Sequence, residues 1–299
     1  MNRKCPNFQC LNPIPGPPSR RVVRKGYFYR RSDRRYIARF KCLACGKQFS
    51  AATFSPDYLQ KRRDINPKIY ELICSGVSQR RLARVLQVNP KTIVRKFRIL
   101  ADRARSEHSR YLEKFKSDPL LSIQFDDLET HEHTKMKPLS VALAVNVKTR
   151  EIIGFRVSKM PAKGLLARRS IRKYGKRPDE RMKGWNSLLR NLRPYLSPAA
   201  VIESDENPHY PAPLKKHCPL ATHIRHPGAR GSSTGQGELK KIGFDPLFAL
   251  NHTCAMLRAN LNRLFRKTWC TTKTIQGLRD HLSIYQVYHN QNLPHLHAH

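Results

Sequence analysis

The chain has 299 residues, enough for two or three small units or for one small unit and one larger domain. Its 58 lysines and arginines outnumber its 21 acidic residues and give a formal net charge of +37, which indicates a polyanionic partner such as DNA or RNA. No long apolar run or lipidation signal is present, so we expect a cytoplasmic protein with no membrane partner.

Near the N-terminus, four cysteines form two close pairs in the pattern C-x4-C…C-x2-C. They are Cys5, Cys10, Cys42 and Cys45. Two such pairs can occupy the four corners of a tetrahedral Zn²⁺ site. Residues 26–29 and 35–40 are aromatic and β-prone, so we expect a hairpin there, preceded by a Pro-rich loop at 11–19. The pattern predicts a zinc ribbon over residues 1–55; the alternative is four ordinary reduced cysteines.

Residues 60–117 carry the start signals of three helices. Asn66-Pro67 is expected to cap and open the first helix, and Ser78 to cap the second. Asn89-Pro90 opens the third, whose apolar residues recur at helical spacing and which continues towards residue 116. A helix, a short turn and a capped basic helix predict a helix-turn-helix domain.

The third helix would enter the major groove of DNA with its N-terminal end. Its Lys91, Thr92 and Arg95 point away from the apolar stripe, and Arg80 and Arg81 lie on the helix before it. We expect these five side chains to contact bases or phosphates. The alternative is a plain three-helix bundle with a solvated basic face.

The remaining residues, 120–292, alternate between strand and helix patterns. Strands are expected at 121–125, 139–147, 151–157 and 199–204, and helices at 180–196, 247–264 and 274–289. A basic Gly/Ser-rich segment covers 225–241. Strand, hairpin, helix, strand, helix is the order expected of an RNase H-like α/β domain. The whole chain is therefore predicted to be a multidomain α+β protein.

Two acidic residues in this region follow predicted strands. Asp126 is expected to end the first strand and Asp205 the strand after the helix, and carboxylates at neighbouring strand ends can share Mg²⁺ or Mn²⁺. Asp127 is the rival for the first position, but alternation of Leu121, Ile123 and Phe125 towards the core places Asp126 on the opposite face. The alternative is two carboxylates that merely cap strand ends.

These motifs together resemble the bacterial insertion-sequence transposases of the DDE class that carry a zinc ribbon and a helix-turn-helix before an RNase H-like domain. The residues that carry the resemblance are the Cys42–Ser50 knuckle, Phe125-Asp126-Asp127, Ser204-Asp205 and the segment 264–273, which contains Arg266-Lys267-Thr268. The likeness spans nearly the whole chain.

The resemblance implies cleavage at transposon ends by metal-activated water, followed by attack of the freed 3′-hydroxyl on target DNA. Asp126 and Asp205 would hold two Mg²⁺ ions, and the ribbon and helix-turn-helix would recognise terminal inverted repeats. The protein would act as a homo-oligomer on double-stranded DNA, at the nucleoid.

One position departs from the family pattern. Counting back from Arg266, the place of the family's glutamate falls on Asn251, whose neutral oxygen holds Mg²⁺ with less charge. Arg258, two helical turns later, is expected to meet phosphate. The chain is predicted to be a D-D-N transposase; the alternatives are an inactive relative that serves as a DNA-binding regulator and a structural RNA-binding protein.

Overall fold

The computed structural model describes residues 4–10, 22–31, 34–55, 57–227, 245–265 and 270–292. The chain divides into two compact units, Met1–Lys68 and Ile69–His299. The predicted boundaries at 1–55, 60–117 and 120–292 are finer than this division and stay predictions. The Pro-rich loop, most of the Gly/Ser-rich segment and residues 266–269 lie outside the described residues.

The N-terminal unit contains a three-stranded antiparallel sheet. Its strands are β1 (Val22–Arg30), β2 (Arg35–Cys42) and β3 (Gln48–Ser50), in that order. Short 3₁₀ turns follow at Ala51–Phe54 and Arg63–Ile65. The core here is small: two phenylalanine rings, Phe40 and Phe49, pack at 5.6 Å beside the buried Cys10 and Cys42. The aromatic hairpin predicted between the cysteine pairs is confirmed.

Three helices follow, α1 (Asn66–Ile73), α2 (Gln79–Val85) and α3 (Pro90–Leu112). The Ser78 hydroxyl accepts a hydrogen bond from Arg81 N at 3.3 Å, and Asn89 Oδ1 accepts one from Lys91 N at 2.9 Å, so both predicted caps are confirmed. The cap predicted at Asn66 is wrong. That residue is already helical and donates its amide to Asp57, because the 3₁₀ turn before it runs directly into α1.

The larger unit is built on a five-stranded mixed sheet. Its strands are β4 (Leu120–His131), β5 (Pro138–Asn146), β6 (Ile152–Lys159), β7 (Leu196–Asp205) and β8 (Thr222–His226). They lie in the order β6-β5-β4-β7-β8; β5 runs antiparallel to both β4 and β6, and β7 and β8 run parallel to β4. β5, which lies between β6 and β4, is buried along almost its whole length, as expected of a continuous apolar run.

The sheet is covered by helices. They are α4 (Leu166–Tyr174), α5 (Arg181–Leu192), α6 (Pro211–His217), α7 (Phe248–Asn260) and α8 (Ile275–Asn292). Ile123 and Phe125 of β4 join Trp185 and Leu188 of α5 in the main core. Gly184 lets α5 approach β6, since a Cβ there would collide with the Ser158 hydroxyl. Helix α7 packs on β4 and β5, and α8 packs on α3 and β6.

The observed architecture confirms a mixed α/β protein and corrects several details. β4 does not end at Asp126: it continues to His131, because β5 pairs with it as far as Pro138. Leu121 is 73% exposed and Leu120 is buried in its place, where the pairing of β4 with β7 is irregular. Three elements, α4, α6 and β8, are additions that the hydrophobic patterns did not predict.

Candidate functional site

The four N-terminal cysteines converge in the smaller unit. Cys5 Sγ lies 3.5 Å from Cys45 Sγ, Cys10 Sγ lies 3.7 Å from Cys42 Sγ, and all four sulfurs fall within 4.8 Å of one another. A tetrahedral zinc ion with bonds near 2.3 Å separates its sulfurs by about 3.8 Å. The cluster therefore fits a metal ion such as zinc. Within the described residues it is the one group of three or more Cys, His, Asp or Glu side chains so arranged.

The backbone around the second cysteine pair forms a tight turn that lowers the pKa of the Cys45 thiol. Gly46 adopts φ +72°, a left-handed conformation that favours glycine, and its N–H donates to Cys42 O at 2.9 Å. The backbone N–H of Lys47 lowers the pKa of the Cys45 thiol to about 6, whereas burial raises the pKa of Cys5 to about 12. One thiolate thus forms readily, and full ionisation of four adjacent thiols needs the charge of a bound metal.

In the larger unit, strand register brings two carboxylates together. β4 and β7 pair in parallel at Gln124 and Glu203, and Asp126 and Asp205 lie two residues further along their strands. Residues two apart share a face of a sheet, so both aspartates project from the same side at adjacent positions. Asp205 is the last residue of β7, and its Oδ1 accepts a hydrogen bond from Asn207 N at 3.0 Å.

Asp126 is held in a half-buried setting. Burial, and then the charge of Asp205, raise the pKa of Asp126 to about 6. The buried Tyr210 donates its hydroxyl to Asp126 Oδ1 at 2.9 Å, which opposes the rise. Two like charges on adjacent strands with little solvent are a costly arrangement that a shared cation would relieve.

Asp127 faces the other side of the sheet. Trp185 donates its indole N–H to both carboxylate oxygens of Asp127, each at 3.0 Å. Burial raises the pKa of Asp127, and the Trp185 bond opposes that shift. The two neighbours therefore have different environments: Asp127 joins β4 to α5, and Asp126 stands beside Asp205.

Helix α7 covers the aspartate face of the sheet. The Gln124 side chain fixes it there, accepting from Leu250 N at 2.9 Å and donating to Pro246 O and to Glu203, both at 2.8 Å. One turn beyond Leu250 lies Cys254, close enough to Asp126 for its thiol pKa, raised to about 12 mainly by burial, to be raised further by that carboxylate.

The predicted third position, Asn251, is exposed at the start of α7. Its amide donates to Asp245 Oδ2 at 2.9 Å, and the hydrogen bonds of the described residues do not join it to Asp126 or Asp205. Arg258 lies one turn after Cys254 and lowers the pKa of that thiol through its charge. The roles of Asn251 and Arg258 stay predictions.

The predicted DNA-contacting residues lie on α2 and α3. Arg80, Arg81, Lys91 and Arg95 are exposed, and Thr92 is half-buried. Residues 72–101 contain seven basic residues and no acid. The apolar stripe of α3 is buried, as predicted, so the exposed cations form the opposite face of the helix.

Sequence reasoning missed two neighbours of the aspartate pair. Tyr210, at the start of α6, donates a hydrogen bond to Asp126, and Cys254 of α7 lies near enough for the charge of Asp126 to raise the pKa of its thiol. No sequence signal connects Tyr210 with a strand 84 residues earlier. Both placements depend on how helices pack across the sheet.

No protein-family model matches the sequence, and no curated protein matches it either. Among the helices that the structure describes, none combines the length and apolar character needed to cross a bilayer.

Proposed function

We propose that the chain is a DNA transposase of the DDE class, with a zinc ribbon, a helix-turn-helix and an RNase H-like catalytic domain. The observation that carries the proposal is the adjacency of Asp126 and Asp205 on parallel strands, with the raised pKa of Asp126. Perturbed carboxylates in such a pair are typical of catalytic sites.

The strand order supports the proposed RNase H-like fold. Three antiparallel strands, β4 to β6, are followed by strands that extend the sheet in parallel from β4. The first and the fourth strand of this sheet carry the two aspartates. A four-residue turn between α2 and α3, with Gln87 in the left-handed region, supports the proposed helix-turn-helix.

Asp126 and Asp205 would hold Mg²⁺ or Mn²⁺, with Asn251 as a candidate third ligand. When bound, the metal pair supplies an activated water and stabilises the attacking and leaving oxygens of phosphoryl transfer. The chain's own contribution is orientation: Tyr210 holds one oxygen of Asp126, and Asn207 N holds one oxygen of Asp205. Arg258 and the α3 cations would bind DNA phosphates.

The test is strand cleavage of a duplex that carries terminal inverted repeats, with Mg²⁺ or Mn²⁺. Asp205→Ala is expected to abolish cleavage while leaving duplex binding intact. Glu206→Ala is the matched control, since Glu206 is the next residue and its carboxylate is exposed. Cleavage by Asp205→Ala at the parent's rate would show that the active-site assignment is wrong.

The second candidate is a sequence-specific DNA-binding regulator without catalysis. It is favoured by the exposed Asn251, whose amide is bonded to Asp245 in place of either aspartate. This candidate predicts tight binding to one duplex sequence and no nicking with any divalent metal.

A further inference from the structure

The β1–β2 hairpin of the N-terminal unit carries aromatic rings on its surface. Tyr36 is 74% exposed, Tyr27 53% and Tyr29 48%, whereas strand aromatics usually bury their rings in a core. The small core of this unit is formed by Phe40, Phe49 and the cysteines. The three tyrosines stand outside that core, so packing does not account for them.

The three rings share one face. Tyr29 and Tyr36 are directly paired across the strands with ring centroids 5.1 Å apart, and Tyr27 lies two residues before Tyr29 on β1. Two residues of a strand span about 6.8 Å, roughly twice the 3.4 Å rise between stacked bases in a duplex. Rings at this spacing fit bases of an extended, unstacked strand better than those of a duplex, whose bases are already stacked.

Cations surround these rings. Residues 22–31 and 34–42 contain eight basic residues and no acid. The guanidinium of Arg24 stacks on the Tyr27 ring at 4.2 Å. Aromatic rings interleaved with arginines match the alternating bases and phosphates of a nucleic-acid strand, because the rings stack on bases and the cations neutralise phosphates.

We propose that this hairpin binds single-stranded DNA by stacking unpaired bases on Tyr27, Tyr29 and Tyr36. The inference concerns the N-terminal unit alone and goes beyond the proposed function, which gives this hairpin no ligand. The choice of DNA over RNA rests on that proposed function. An acidic protein partner is less suited to the surface, since it offers carboxylates without flat rings to stack.

The test measures binding of a labelled oligo-dT of roughly 12 nucleotides to the zinc-loaded full chain. Replacing Tyr27, Tyr29 and Tyr36 together by Ala is expected to weaken binding at least about tenfold and to leave the salt slope unchanged, because stacking is lost and cations remain. The triple Phe variant is expected to bind like the parent. Tyr58→Ala is the control, an exposed tyrosine of the same unit outside the hairpin.

Three outcomes would overturn the proposal. The triple Ala variant could bind oligo-dT as well as the parent, it could lose duplex affinity to the same degree, or the parent could prefer oligo-U to oligo-dT. The same oligonucleotides tested on Asp205→Ala separate this proposal from the catalytic one, since that variant is expected to keep full single-strand binding.

A second measurement uses the unmutated chain and therefore does not depend on whether the triple variant folds. Ultraviolet crosslinking of 5-bromodeoxyuridine oligonucleotides to the unmutated chain is expected to modify the peptide that contains Tyr27 and Tyr29 or the one that contains Tyr36. Crosslinks confined to α2 and α3 would overturn the assignment.

Discussion

Asp126 and Asp127 are adjacent in the chain and have different partners. The indole N–H of Trp185 donates a hydrogen bond to the carboxylate of Asp127, and this bond connects β4 with α5. Asp126 accepts one hydrogen bond from the hydroxyl of Tyr210 and lies close enough to Asp205 for the charge of that residue to raise its pKa. Alternation along a strand explains the difference, since successive side chains leave opposite faces. The negative charge of Asp126 is therefore costly, and a cation bound beside it would lower that cost.

Asp126→Asn is expected to stabilise the larger unit above about pH 7 and to do so much less at about pH 4.5. The raised pKa of Asp126, about 6 against the usual 3.8, means that the folded protein keeps a proton which the unfolded chain has already released. Stability from this group is therefore full at low pH and is lost as pH rises through about 6. Asn removes that loss and still accepts the Tyr210 hydrogen bond.

The measurement is thermal unfolding followed by tryptophan fluorescence, without added divalent metal. Trp185 lies beside the site and reports on the larger unit. A rise of about 3 °C or more is expected at the higher pH. An equal shift at both pH values would contradict the proposed charge repulsion, and the variant is expected to lack cleavage activity at every pH.

Asn251→Glu is expected to raise Mn²⁺ affinity by about tenfold and to increase any cleavage activity, because a third carboxylate adds charge to the ligand set. Isothermal titration with Mn²⁺ and the cleavage assay both measure this. Cys254→Ser is the comparison for the neighbouring α7 position that lies close to Asp126. Unchanged affinity in Asn251→Glu would place Asn251 outside the metal site.

At the scale of elements, α2 and α3 are defined by their caps. Ser78 and Asn89 satisfy backbone N–H groups at the first turns, and the four residues between the helices make a tight turn. Arg80, Arg81, Lys91 and Arg95 are exposed, whereas the apolar stripe Ile93, Phe97 and Leu100 is buried. The arrangement leaves the N-terminal end of α3 open to a ligand.

Lys91→Ala and Arg95→Ala are each expected to weaken duplex binding and to reduce the dependence of log K on log salt by about one. Each side chain would neutralise one phosphate or reach one base edge. Arg110→Ala is the matched control, an exposed arginine of the same helix about 22 Å beyond Arg95 and about 28 Å beyond Lys91. Binding is measured by fluorescence anisotropy over a range of salt concentrations, and an equal loss in Arg110→Ala would contradict a specific role for the end of α3.

At the scale of the whole molecule, the two units are stabilised differently. The larger unit has an extended apolar core between its sheet and helices. The smaller unit buries two aromatic rings, a few cysteines and a few aliphatic groups. A core of this size is too small for a stable fold without a cross-link such as a bound metal. A metal bound by the four cysteines would supply that stability.

If the four cysteines bind a metal such as zinc, its removal with a chelator is expected to unfold β1–β3 and to leave β4–β7 folded. Hydrogen exchange measures the stability of each sheet separately. Amides of the hairpin should lose protection, and amides of the large sheet should keep it. Cys42→Ser is expected to lose the metal, whereas Cys74→Ala, a buried cysteine of the larger unit, should retain it. Protected hairpin amides in the metal-free protein would contradict a structural metal.

The sequence by itself determined the local features of this protein. Cysteine spacing predicted a four-sulfur cluster, capping residues predicted the starts of α2 and α3, and period-two alternation placed Asp126 and Asp127 on opposite faces. The caps and the alternation depend on neighbours a few residues apart, and the spacing within each cysteine pair suits the ligand geometry of a tetrahedral ion.

Only the tertiary structure decided which distant residues meet. It extended β4 beyond Asp126 through pairing with β5, brought Tyr210 and Cys254 to Asp126, and turned Asn251 towards Asp245. It also left Tyr27, Tyr29 and Tyr36 outside the core of the smaller unit. Each outcome depends on strand register and helix packing between segments far apart in the chain, where the free energy comes from burial of shared surfaces and not from local preference.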